Sequence, residues 1–221
     1  MKGLMIKDFR IIMNQKRFIV LYLFIALILS FSMDHTFIVS YVPMVSTILA
    51  LSTISYDYND NGLSFIMTLP NKPGDYAVAK YIFSMLSVTF MWLVSILLQI
   101  IAIMIQKTDV ATSEVIMTDA LMLPMFLLIL AVMLPIELKY SPEKARVVLF
   151  IIFGLVMLIV LGGKSIAESL SSSGIVNVEK IVAGFQNING SVLVIAAYAV
   201  CIIVLSISMM ISIRIMQNKE F

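Results

Sequence analysis

Six apolar runs, each close to the length of a bilayer crossing, constrain this chain more than any other feature. They occupy residues 18–33, 37–55, 81–105, 116–136, 147–161 and 192–213. A hydrocarbon core of about 30 Å needs roughly 20 helical residues at about 1.5 Å each. Inside hydrocarbon every backbone amide must be bonded within its own segment, so runs of this kind form helices. No soluble core could take up so much apolar surface: 61% of the residues are hydrophobic and only 13% charged, whereas globular chains run nearer half and a quarter. The expected fold class is therefore an all-α integral membrane protein, with residues 1–221 forming a single transmembrane domain of six transmembrane helices. The run at 147–161 is short for a full crossing and ends abruptly at Gly162 and Gly163. It reaches across only with Arg146 and Lys164 snorkelling at its ends, or else remains a partial span.

The segments between the runs carry the polar residues. Residues 1–17 hold Lys2, Lys7, Arg10, Lys16 and Arg17, with Leu4, Met5, Phe9, Ile12 and Met13 recurring at three- and four-residue steps. This spacing predicts an interfacial amphipathic helix with one greasy and one basic face, a better fit than a loose basic leader that only sets orientation. Asp34, His35 and Thr36 leave room for only a hairpin turn between the first two spans. Residues 162–190 form the one sizeable segment on the opposite side. Within them Val178, Ile181, Val182 and Phe185 make an i, i+3, i+4, i+7 stripe, either an amphipathic or re-entrant helix at the outer mouth or a surface helix bridging two spans.

Counting lysine and arginine on the two sides of this six-span arrangement gives twelve against three. The positive-inside rule then places both termini, residues 56–80 and residues 137–146 in the cytoplasm of a multi-pass cell-membrane protein. The net charge of +2 is small and dispersed, which argues against nucleic acid as a partner.

Sequence motifs for catalysis are sparse. The lone His35 and lone Cys201 supply no two-histidine or multi-thiolate metal site, and no cofactor is indicated. Gly163, Lys164 and Ser165 end like a phosphate-binding loop, but Leu158 stands where that loop needs glycine. Asn189-Gly190-Ser191 fits a glycosylation acceptor, a short pattern frequent by chance. The spans carry almost no charge; Asp119 lies near the outer end of the fourth, and Gln99 in the third is polar but uncharged. Ion-coupled transport usually leaves an intramembrane charge, so the energy for any uphill movement is expected from a partner. The pairs Ala26/Ser30, Ser46/Ala50, Ala197/Cys201 and Ser208/Ser212 allow close helix approach, and Pro43, Pro124 and Pro135 allow kinks. The 17 methionines suit either gap filling or a surface that accepts varied apolar cargo.

Residues 56–80 form the longest markedly polar stretch of the first half. Asp57 and Asp60 follow the second span, Leu63, Phe65, Ile66 and Leu69 provide apolar residues that look exposed, and Pro70, Lys72, Pro73 and Gly74 break the chain before Asp75 caps the next helix. A short helix offering apolar residues to the cytosol suits a cytoplasmic coupling arm that docks on another polypeptide; folding back on the membrane surface is the alternative.

The layout as a whole resembles the membrane subunits of type-2 ATP-binding-cassette (ABC-2) exporters. Asp57, then Thr68, Leu69 and Pro70, then Ala79, Lys80 and Tyr81 are similar to the acidic residue, Thr-Leu-Pro and Ala-Lys-Tyr of small permeases in that group. Among these the chain looks like the permease subunits of phenol-soluble modulin exporters. It departs from them where an arginine often follows the proline, since Asn71, Lys72 and Pro73 stand there. The resemblance implies a subunit that binds no ATP and is not itself an enzyme. It implies a second permease subunit, identical or not, membrane lipid around both, and cytosolic ATPases that press on the arm (Asp57, Asp60, Leu63, Phe65, Ile66, Leu69, Pro70, Lys72) and on the interfacial helix (Lys7, Phe9, Arg10, Lys16, Arg17). The implied cargo is an amphipathic peptide, such as a phenol-soluble modulin or an antimicrobial peptide. A non-transporting scaffold or immunity protein, or a passive channel, would use the same composition differently.

Overall fold

A computed structural model of the chain describes residues 2–32, 36–59, 62–68, 72–106, 112–145, 147–148, 150–151, 154 and 190–219. Among these residues the structure is helical: α1 (Lys2–Asn14), α2 (Lys16–Ser32), α3 (Phe37–Tyr58), α4 (Gly62–Thr68), α5 (Pro73–Gln106), α6 (Thr112–Lys139) and α7 (Gly190–Gln217). Four of them, α3, α5, α6 and α7, are long and apolar enough to cross a membrane; the count becomes five if α1 and α2, bent by 63° at Gln15, are taken as one broken span. The first expected span is thus a 17-residue helix leaving a sharp bend rather than an independent long crossing. Ten of the fifteen residues of the run at 147–161 and all of 162–189, with the stripe from Val178 to Phe185, lie outside the described residues.

The third span begins earlier than the apolar run suggests. Pro73 opens α5 because its fixed φ suits a first helical position, where its missing N–H is no loss. Asp75 therefore sits inside the first turn instead of capping it. At 34 residues α5 is about 51 Å long, well beyond the hydrocarbon thickness, so its first turns extend past the bilayer and carry polar side chains there.

Helix α6 packs most extensively on α7, α3 on α5, and α5 and α6 bridge the two pairs; α2 leans on α3 and α5. The main core gathers Leu130, Leu134 and Leu138, one stripe of α6, with Tyr81 and Val88 of α5 and Leu205 and Met216 of α7. A second cluster joins Tyr22 and Ala26 of α2 to Ile38, Val42 and Leu49 of α3. Of the four expected small-residue pairs, Ala26, Ser30, Ser46, Ala50, Cys201, Ser208 and Ser212 are buried, whereas Ala197 is half-buried. Their hydroxyls bond across helices, Tyr81 Oη lying 2.6 Å from Ser208 Oγ and 2.8 Å from Ser212 Oγ, and Ser208 donating to the Ala131 carbonyl. Others, such as Thr47 and Thr53, donate to carbonyls of their own helix, which satisfies a hydroxyl where water is absent. Large apolar residues on the outer faces of α5 and α7, including Phe90, Leu97, Met104, Ile195 and Ile203, are left exposed, as suits a lipid environment.

Candidate functional site

One end of the bundle collects α1, the C-terminal turn of α3, α4, the N-terminal turns of α5 and the C-terminal ends of α6 and α7. Here α1 contributes Leu4 and Asp8, one turn apart, to the inward face, while Ile6, Phe9 and Met13 remain exposed. Asp8 is fully buried, and its neighbours from the other helices are Asp57 at 4% exposure and Lys80 at 1%.

These residues form a four-charge cluster. The Lys80 ammonium lies 2.7 Å from Asp8 Oδ1 and 2.8 Å from Asp57 Oδ2, and it donates to Thr53 Oγ1 at 3.1 Å. Lys7 donates to Asp57 Oδ1 and lies 3.4 Å from Asp8. Tyr76, one turn before Lys80, donates its hydroxyl to Asp57 Oδ2 at 2.8 Å, and its ring faces the Lys80 ammonium at 5.4 Å. Two carboxylates and two ammonium groups balance, so the cluster is neutral as a whole. Charges this far from water are tolerated only when paired and hydrogen-bonded. The result is a knot tying α1, α3 and α5 together at their polar ends.

Helix α4 begins close against the end of α3. A Cβ built on Gly62 would lie 2.9 Å from the Asp57 carbonyl oxygen, so glycine is required for this close return of the backbone. Gly62→Ala is expected to cost about 1–3 kcal/mol through overpacking. Gly3→Ala, where a Cβ meets nothing within 4 Å, should be nearly silent. Thermal unfolding of the two variants in the same detergent checks the contrast.

Helix α4 corrects one expectation. Leu63 and Ile66, three apart on one face, are buried at 6% and 8% and join the core with Leu4, Ile54 and Tyr76, whereas Phe65 points out at 69% exposure. An amphipathic segment lying against a larger apolar surface turns that face inward, so only one of the three apolar side chains is presented outside. Arg10, Lys16, Arg17 and Lys72 are exposed, and Lys7 and Asp57 belong to the knot. Asp60, Leu69 and Pro70 lie outside the described residues. Sequence reasoning passed over Asp8, Tyr76, Thr53 and Lys80 as site residues. The available signal was Asp8 placed one helical turn from both Leu4 and Ile12, a carboxylate on an otherwise apolar face.

Two further anchors brace the same end. Gln15, at the bend between α1 and α2, donates to Tyr56 Oη at 2.8 Å. Lys219 donates to Tyr58 Oη and, at 2.7 Å, to the Leu138 carbonyl; burial draws its ammonium below the usual lysine range. A groove of about 370 Å³ runs between α3 and α6, lined by Met44, Ile48, Phe126, Met133 and Glu137 among others. Ser52 and Ser55 continue it into a wider polar mouth beside Asn59 and Glu143.

A family model described as ABC-2 family transporter protein matches residues 3–217. No curated protein and no solved structure matches the chain.

Proposed function

Because the chain belongs to the ABC-2 transporter family, as the membrane subunit that works with an ABC ATPase, we propose that α4 and the exposed side of α1 form the surface on which that ATPase acts. The observation that carries this reading is the seating of α4. Leu63 and Ile66 fix it to the core, Phe65 stands free on the outer side, and the four-charge knot directly beneath joins α1 to α3 and α5. A push on Phe65 is passed into packed helices rather than absorbed by a loose loop. Closure of the ATPases on nucleotide then rocks the bundle as a rigid body and alternates its opening.

The arm, both termini and the knot face the cytoplasm in this reading, following the twelve-to-three distribution of basic residues. Two permease subunits line the route. The cargo is an amphipathic peptide of the phenol-soluble modulin or antimicrobial kind, taken up from the inner leaflet along the groove between α3 and α6. The groove's apolar, methionine-bearing wall and its polar mouth match the two faces of such a peptide.

The test is co-purification of the full-length protein with its ATPase from gently solubilised native membranes, followed by hydrolysis measurements. Phe65→Asp is expected to weaken the association roughly thirtyfold, the scale of an interfacial aromatic worth about 2 kcal/mol, and to abolish stimulated hydrolysis. Because Phe65 is exposed, membrane insertion and thermal stability should not change. An unchanged association would remove α4 from the docking surface, and the absence of any ATPase in the eluate would favour a scaffold.

A further inference from the structure

The feet of α6 and α7 enclose a second concavity, of about 530 Å³, that the coupling role does not use. Lys139 bounds it on α6; Ile211, Arg214 and Ile215 form one face of α7, and Asn218 and Lys219 follow the helix. Among the described residues three cations line it and no carboxylate does. Among the described residues every ion pair lies in the Asp8–Asp57 knot, and none involves Lys139 or Arg214. Lys139 rests over the Tyr140 ring at 5.3 Å, and Lys219 is engaged with Tyr58 and Leu138. The ordinary reason for basic residues here is the negative end of each helix dipole. That reason accounts for the charges but not for the notch, nor for Ile211, which shares it and lies about one turn of α7 deeper than Arg214. Ile211 is 48% exposed at that depth.

We propose that this notch binds the headgroup of an anionic phospholipid. The phosphodiester anion, with no choline cation beside it to offset its charge, sits between Lys139 and Arg214, Asn218 offers a side-chain amide, and the start of an acyl chain covers Ile211. Basic pockets between membrane helices at the headgroup level recognise lipid in this way. A free anion would leave Ile211 uncovered. The proposal depends on the chain lying in a membrane and not on how it engages an ATPase.

The full-length protein is reconstituted in nanodiscs of phosphatidylcholine doped with phosphatidylglycerol, extracted in mild detergent, and examined by native mass spectrometry for lipid carried along. Wild type is expected to retain phosphatidylglycerol over phosphatidylcholine, and K139Q/R214Q to lose that retention by about tenfold. Arg214→Lys should keep most of it, and K2Q/K144Q, with the same change in net charge, should match wild type. Should the double variant fail to elute as wild type does, R214Q alone is read, with a smaller loss expected. Equal retention by the charge-removing and wild-type proteins overturns the site, as do equal retention of phosphatidylcholine and an equal loss in K2Q/K144Q. Displacement of the lipid by millimolar inorganic phosphate overturns the lipid assignment in favour of a free-anion site.

Discussion

Lys80→Met is expected to destabilise the folded bundle by about 3–5 kcal/mol, the scale of breaking a buried ion pair from one side. Lys80 is nearly inaccessible and is bonded to two carboxylates, neither of which can turn to water. With its ammonium gone, Asp57 keeps Lys7 and Tyr76, but Asp8 keeps only Lys7 at 3.4 Å. Asp8 then takes up a proton rather than remain an isolated buried anion, so the deficit should narrow as pH falls. The companion change D8N/K80M removes the stranded charge together with its partner and should recover about half of the loss. Steric trapping in bicelles, which reads the unfolding free energy of the full chain, measures all three proteins. If Lys80→Met stays within about 1 kcal/mol of wild type, the Lys80 pairs contribute little and α1 is held by Leu4 and by the Lys7–Asp57 and Gln15–Tyr56 bonds.

The knot also marks where sequence reading stopped. Apolar run length located α3, α5, α6 and α7 because hydrocarbon imposes one secondary structure and one minimum length, and the small residues at 26, 30, 46, 50, 201, 208 and 212 indicated where helices touch. Asp57 was read as a docking residue and Lys80 only as part of the Ala-Lys-Tyr resemblance; their mutual contact spans 23 positions and their contacts with α1 span 50 or more. No periodicity encodes a pairing at that separation. Residues 1–17 were read as presenting a basic face and a greasy face; the structure instead buries Leu4 together with the acidic Asp8 and leaves Ile6, Phe9 and Met13 outside. The same limit applies to α4, where composition announced four apolar residues but only the neighbouring core decided which of Leu63, Phe65 and Ile66 would turn inward.

Leu134→Ala, in the stripe of α6 that faces α7, is expected to cost about 2–4 kcal/mol, and Ile203→Ala, on the outer face of α7, less than about 0.5 kcal/mol. The two side chains have the same number of carbons, so the contrast isolates surroundings from size. Leu134 is completely enclosed, with Leu130 and Leu138 a turn to either side, and its truncation leaves a void that packed helices close only in part. Ile203 is 59% exposed, and lipid tails move into the space its missing carbons leave. In water both residues would also gain from leaving solvent; in a bilayer that gain disappears, because lipid is as apolar as the side chain. What remains at Leu134 is dispersion contact and the cost of the cavity. Equal losses at the two positions would mean that α7 presents Ile203 to protein rather than to lipid.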